Sequence, residues 1–246
     1  MKRTISVVLV LCLAMGLCAC ASSGSGSSKK LVMATNAAFP PYESVEGNEI
    51  VGIDADIAKL IADDLGMELV IEDMAFDSII AAVQTGKADI AMAGLTITED
   101  RKQNINFSDP YTEAAQVILV KTTSSVQTPD DLEGLSIGVQ IGTTGDIYAA
   151  DIAGATIERY SKYFEAVNAL LQDKIDAVIV DREPAKVFES ENPDLKIIDD
   201  EFTVEEYAIG VAKENTELLD NINASLKKLK ESGKIDEIIG KYIKAE

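Results

Sequence analysis

From Leu31 onward the chain alternates two hydrophobic rhythms: short unbroken apolar runs, and longer stretches in which apolar residues return every three or four positions. The first rhythm predicts buried strands and the second amphipathic helices. LVMATN, starting at Leu31, reads as a strand. Phe39-Pro40-Pro41-Tyr42 then reads as an extended turn, because each proline fixes φ and lacks an N–H. Asp54 stands where it can cap a helix that carries Ile57, Leu60, Ile61 and Leu65 on one face, with Gly66 just past its end. MELVIED, ending at Asp73, is the next strand. A second helix with Ile79, Ile80 and Val83, capped by Asp77 or Ser78 and stopped at Gly86, leads into the strand ADIAMAGL. Strand, helix and strand in that order form a crossover, so the pattern predicts α/β layers around a largely parallel sheet.

The pattern recurs. SIIAAVQTGKADIAMAG and the later AVNALLQDKIDAVIVD align with Lys87 over Lys174, Asp89 over Asp176 and Gly94 over Asp181. That register hints at two similar lobes and places Gly94 and Asp181 at the carboxyl ends of parallel strands, where open α/β sheets hold ligands. Between the two units, INFSDPYTEAAQVILVKTTSS runs extended, and TPDDLEGL offers Thr128 as a cap, Pro129 at the first helical position and Gly134 as a stop. LSIGVQ is a strand that meets Ile141-Gly142-Thr143-Thr144-Gly145 before a helix from about Asp146. Free N–H groups at such a start favour an anion, although an ordinary glycine turn reads equally well. EEYAIGVAK is a last long strand, and a terminal helix carries Leu218, Leu219, Ile222, Leu226 and Leu229, with Asn215 or Thr216 as cap and Gly233 as stop.

The N-terminus changes the picture. Residues 1–19 read as an export signal, with Lys2 and Arg3 ahead of the apolar ISVVLVLCLAMGL, and Leu17-Cys18-Ala19-Cys20 resembles the lipobox of bacterial lipoproteins. Cys20 is the residue to be acylated, and ASSGSGSSKK, completing 20–30, is a flexible spacer. All three cysteines lie at or before that point, so the exported part holds no free thiol for a disulfide, metal or nucleophile. There is no histidine, which removes the usual general base and the commonest metal ligand, and no cofactor or metal is expected. The formal charge of −20 becomes −22 when Lys2 and Arg3 leave with the signal. That balance argues against nucleic acid, and it leaves the lipid as the only membrane contact.

Three motifs carry a family resemblance: Gly52-Ile53-Asp54-Ala55-Asp56-Ile57, TGKADIAMAGLTITEDR followed by INFSDPY, and SIGVQIGTTG. Together they resemble extracellular solute-binding protein family 3, which feeds polar amino acids to ABC importers, here in lipoprotein form. The resemblance covers nearly all of 31–243. It implies an α/β, two-lobed periplasmic-binding-protein-like fold of type II, with a ligand cleft between lobes joined by two hinge strands. The first lobe would be 31–115 plus 207–246, and the second 116–206. Closure of the lobes would bury the ligand.

Carried over residue by residue, Arg101 resembles the arginine that pairs with the ligand's α-carboxylate, a task suited to a guanidinium fork. Thr96 and the backbone of Gly94 would complete the carboxylate and ammonium contacts. Thr144, with Thr143 beside it, would reach the same carboxylate from the second lobe. Asp181 resembles the acid that accepts from the α-ammonium. By themselves Arg101 could pair with Glu99 or Asp100 on the surface, and Asp181 could cap the helix that follows. Asn36, Phe39, Phe76, Ala93 and Gln140 fall at positions that line the side-chain pocket in the family, as does Val180. Phe39 and Phe76 would sandwich an aliphatic stem or planar group. Asn36 and Gln140 are neutral, which leans the ligand to an uncharged polar L-amino acid such as glutamine. Arginine or lysine stays open through Glu43. An enzyme of the arogenate or prephenate dehydratase type is the rival on the same fold. The implied protein is a monomer on the outer face of the cytoplasmic membrane, periplasmic or at the cell surface, with a free amino acid and a permease as its partners.

Overall fold

A computed structural model describes residues 29–244, with the side chains of 199–202 outside the description. The export signal, Cys20 and the spacer up to residue 28 lie outside the described residues. In chain order the strands are β1 (Lys30–Thr35), β2 (Ala38–Phe39), β3 (Glu43–Glu46), β4 (Glu49–Val51), β5 (Glu68–Asp73), β6 (Ile90–Ala91), β7 (Ile105–Phe107), β8 (Thr112–Lys121), β9 (Ser136–Gln140), β10 (Thr156–Tyr160), β11 (Ala177–Asp181), β12 (Leu195–Tyr207) and β13 (Gly210–Ala212). The helices are α1 (Ile53–Asp64), α2 (Ile79–Gln84), α3 (Glu99–Asn104), α4 (Thr144–Ala149), α5 (Tyr163–Leu171), α6 (Arg182–Glu191), α7 (Thr216–Glu231) and α8 (Lys234–Tyr242).

Two five-stranded sheets have corresponding orders, β5-β1-β6-β13-β7 and β10-β9-β11-β8-β12. In the first, β1 pairs in parallel with β5 and β6; in the second, β9 pairs in parallel with β10 and β11. Each sheet adds antiparallel strands on one side. The chain passes from the first sheet to the second between β7 and β8, and returns between β12 and β13. Strands β8 and β12 pair along most of their length, from Thr112 against Tyr207 to Lys121 against Leu195, with a register shift between Ile198 and Thr203. A small hairpin sheet, β2-β3-β4, stands beside them.

Alternate residues of each strand feed opposite faces, as the pleat requires. In the first sheet Leu31 and Met33 pack with Ile57 and Ile61 of α1, while Ala34 and Ala91 pack with Ile79 and Val83 of α2. In the second, Val178 and Val180 meet α5 and α6 through Ala166, Leu170 and Phe188, while Ile137, Val139 and Ile179 meet Ala149 of α4. The two-lobed α/β fold anticipated from the sequence is therefore present.

Several local expectations are corrected. Asp54 does not cap α1: Gly52 holds the N-cap position, and Asp54 lies in the first turn, fully buried, because buried donors draw its carboxylate inward. Neither Asp77 nor Ser78 caps α2 through its side chain; Phe76–Ser78 forms a 3-10 turn instead. TPDDLEGL likewise gives only a 3-10 turn, Pro129–Leu132, with the Asp131 carboxylate accepting from the Thr128 N–H at 3.0 Å. ADIAMAGL leaves the ladder after Ala91 and turns at Gly94, whose φ is 54°. The helix expected from Asp146 starts at Thr144. EEYAIGVAK is not one strand, since Glu205 to Tyr207 end β12 in the second sheet and Gly210–Ala212 form β13 in the first.

Candidate ligand cleft

A narrow cavity is lined by Asn36, Phe39, Glu43, Phe76, Ala93, Gly94, Thr96, Arg101, Gln140, Thr143, Thr144 and Asp181. Eleven of the twelve site residues expected from the sequence meet here, and Glu43 joins them; Val180 does not line the cavity, because its side chain packs into the core beneath α5 and α6. The lining residues come from strand ends, short turns and helix starts of both sheets. Asn36 follows β1, Phe39 is on β2, and Ala93, Gly94 and Thr96 follow β6. Gln140 and Asp181 close β9 and β11. This is where the carboxyl ends of parallel strands leave room for a ligand.

Arg101 lies on α3, whose cap is the Thr98 hydroxyl accepting the Arg101 N–H at 3.1 Å. Its guanidinium donates through Nη1 to the Thr96 carbonyl at 2.8 Å and through Nη2 to the Gly142 carbonyl at 3.0 Å. The second bond crosses from one sheet's surroundings to the other's. The Phe76 ring stands 5.4 Å from the guanidinium carbon. Pairing with Glu99 on the surface does not occur: Glu99 holds Lys102 at 2.9 Å, and Arg101 is only 7% exposed. Burial lowers the Arg101 pKa, against the charges of Glu205 and Asp181, which raise it.

Asp181 occupies the N-cap position of α6 yet makes no side-chain capping bond. Instead, its carboxylate accepts from the Tyr207 hydroxyl. Burial, and then the charge of Glu205, push its pKa up to about 7. Glu205 is itself buried; its Oε2 accepts from the Thr96 hydroxyl at 2.7 Å and from Gln116 Nε2 at 3.3 Å.

The threonines divide their work. The Thr143 hydroxyl donates to the Gln140 carbonyl at 2.9 Å and accepts the Asp146 N–H as the cap of α4. Thr144 begins that six-residue helix, and its hydroxyl accepts from Gln116 at 3.3 Å. Gln140 donates to Asn36 Oδ1 at 2.9 Å, and Asn36 Nδ2 donates to the Met74 carbonyl at 2.7 Å. These amides therefore bond across the cleft to each other. Phe39 stacks on Tyr42 and on Tyr163, each at 5.8 Å between centroids.

Gly94 must be glycine for two reasons. Its φ of 54° is in the left-handed region, and a Cβ would fall 2.7 Å from Phe39 Cε1. Its N–H donates to Asp54 Oδ2 at 2.9 Å, so that donor is spent inside the protein. The second Asp54 oxygen accepts from the Tyr111 hydroxyl at 2.7 Å.

Sequence reading named Glu43 only as an acid that would reach a basic ligand, and it missed the roles of Asp54, Gln116, Glu205 and Tyr207. Glu43 had one signal in the chain: in β2–β3 it pairs with Phe39, and opposed residues of an antiparallel pair share a face. Glu205 had a weaker one, an inverted alternation in which Val204 is 64% exposed while Glu205 and Tyr207 are buried.

Two α/β lobes with a polar cavity between them define a solute-binding protein. The family model of bacterial extracellular solute-binding proteins, family 3, matches residues 31–245, and the chain belongs to that family. It is a solute-binding receptor and not an enzyme, so the dehydratase reading falls. Among relatives, the arginine-binding extracellular protein ArtP of Bacillus subtilis (strain 168) is 32% identical over 89% of this chain and 88% of its own. The ABC transporter glutamine-binding protein GlnH of the same organism is 37% identical over 80% of this chain and 74% of its own. Among solved structures, the arginine-, lysine-, histidine-binding protein ArtJ from Geobacillus stearothermophilus is 38% identical with a TM-score of 0.84, covering 89% of this chain and 96% of that one. No helix of the described residues is long and apolar enough to cross a membrane.

Proposed function

We propose that the chain is a lipid-anchored receptor that captures a free L-amino acid with a cationic side chain, arginine foremost, and delivers it to an ABC importer. Cys20 carries the lipid and 21–30 the tether. Residues 31–115 with 207–246 make one lobe and 116–206 the other. Arg101 takes the α-carboxylate: two of its five donors are committed to neutral carbonyls, and the rest of the fork suits a bidentate anion. Thr144 adds its N–H and hydroxyl, and Asp181 accepts from the α-ammonium. Phe39 and Phe76 flank the side-chain stem.

The observation that carries the choice of ligand is the charge balance of the wall. Arg101 is its one cation, while Glu43 and Asp181 line it and two more acids bond directly to lining residues, Asp54 to Gly94 and Glu205 to Thr96. A zwitterion adds no net charge, so a cationic side chain is what relieves the excess of acid. Glu43, the acid through which a basic ligand stayed open on sequence grounds, supplies a carboxylate for a guanidinium. ArtP and ArtJ, named for arginine, agree with this reading. A second reading, glutamine, is favoured by the neutral Asn36–Gln140 pair and by the relative GlnH.

A thermal-shift panel of the twenty amino acids tests both. A ligand that binds only the native state raises the melting temperature, and arginine is expected to raise it most. A largest shift with glutamine would favour the second reading, and no shift with any amino acid would overturn the receptor assignment.

A further inference from the structure

Glu43 is fully buried, lines the cavity, and as a carboxylate finds no hydrogen-bond partner for either oxygen among the described residues. Asp54 lies within hydrogen-bond reach of it and is fully buried too. Two carboxylates have no hydrogen to place between them; one added proton creates the bond. Asp54 already accepts from the Gly94 N–H and the Tyr111 hydroxyl, which favour its charged form, so the proton belongs mainly on Glu43.

The charged groups that act most strongly on Glu43 are acids: Asp54 from α1, Asp181 from β11 and Asp73 from β5. The nearby phenols, Tyr42 and Tyr111, are held neutral first by burial and then by these acids. The one cation of the lining, Arg101, is tied to the Thr96 and Gly142 carbonyls and stands against Glu205 and Asp181. Burial, then the charge of Asp54, raises the Glu43 pKa well above the carboxylate range, and burial raises that of Asp54 to about 6.

We propose that Glu43 and Asp54 share one proton and that this pair sets ligand choice: the proton leaves to solvent when a guanidinium or ammonium side chain enters, and stays when a neutral amide side chain enters. This rests on the amino-acid receptor reading and extends it. In the protonated state the Glu43 O–H is spent on Asp54, and the cavity presents an uncharged acid to a neutral ligand. A cation repays the loss of that proton by pairing with the anion it leaves behind.

The test is calorimetric titration of the full chain with arginine and with glutamine, in buffers of different protonation enthalpy, over roughly pH 6 to 8. Arginine is expected to release up to about one proton and to gain affinity with pH, relative to glutamine, by at most roughly tenfold per unit. Asp181 meets the α-ammonium of both ligands, so its titration cancels in that comparison. Glu43→Gln should abolish the extra release and weaken arginine roughly 10- to 100-fold more than it weakens glutamine. If that variant does not fold, the proton count on the unaltered protein decides. Arginine binding without extra proton release overturns the proposal and leaves the receptor reading standing. Binding of glutamine alone at every pH does the same. Binding of no amino acid overturns both.

Discussion

The two lobes share a frame and differ in what they set at the ends of its strands. In each, the first parallel strand has its start tied by an aspartate from the crossover: Asp89 accepts the Val32 N–H at 2.8 Å, and Asp176 accepts the Ser136 N–H at 2.9 Å. Five residues past each aspartate the likeness ends. Gly94 turns the first lobe's chain away so that Arg101 can reach the cavity, while Asp181 puts a carboxylate there directly. At these corresponding strand ends the common scaffold thus presents a guanidinium on one side and a carboxylate on the other, and on the proposed reading an amino acid's carboxylate and ammonium are the matching pair.

Removing the cation should break the comparison most. Arg101→Ala is expected to weaken amino-acid binding by about 100-fold or more, since charge-assisted bonds are worth about 1.5–3 kcal/mol each, with the far-ultraviolet circular dichroism retained. Unchanged affinity by calorimetry would return Arg101 to a structural role.

The opposite charge gives a smaller and pH-dependent effect. Asp181→Asn should cost roughly tenfold or more for α-amino acids and little for an analogue lacking the amine; equal losses would count against the ammonium contact. Because the carboxyl titrates near 7 in the fold, wild-type affinity should rise as pH rises through about 7, and the asparagine variant should lose that part of the dependence. Stability runs the other way. A carboxyl whose pKa is raised by folding contributes fully below its unfolded value and loses that contribution as pH rises through the folded value. The ligand-free protein should therefore melt higher near pH 5 than near pH 8, and Asp181→Asn should narrow the gap.

The smallest effect sharpens the shared frame. Asp89→Asn and Asp176→Asn should each cost about 1 kcal/mol in chemical denaturation, through one backbone bond apiece, without altering ligand affinity. Markedly unequal costs would mean that the two aspartates are alike in position and not in function.

The large features were legible because periodicity and turn chemistry act locally. The α/β layers, the Asp89–Asp176 correspondence and eleven of the twelve cavity residues followed from runs, caps and a family pattern. What escaped depended on distant partners. Asp54 looks like a helix cap because its neighbours in sequence say so, but Gly94 and Tyr111, far along the chain, turn its carboxylate inward. Glu205 looks like a surface acid in EEYAIG until the second sheet's edge buries it against Thr96 and Gln116. EEYAIGVAK reads as one strand since nothing in its composition marks where one sheet ends and another begins.

The bond from Arg101 to the Gly142 carbonyl makes the guanidinium a coincidence detector. Its donors share one rigid plane, and one edge is fixed by Thr96 in its own lobe while another is fixed by Gly142 across the cleft. On the proposed reading, a carboxylate would meet a fully aimed fork only with the far lobe in place. Occupancy and shape would then reach an importer as a single yes-or-no signal.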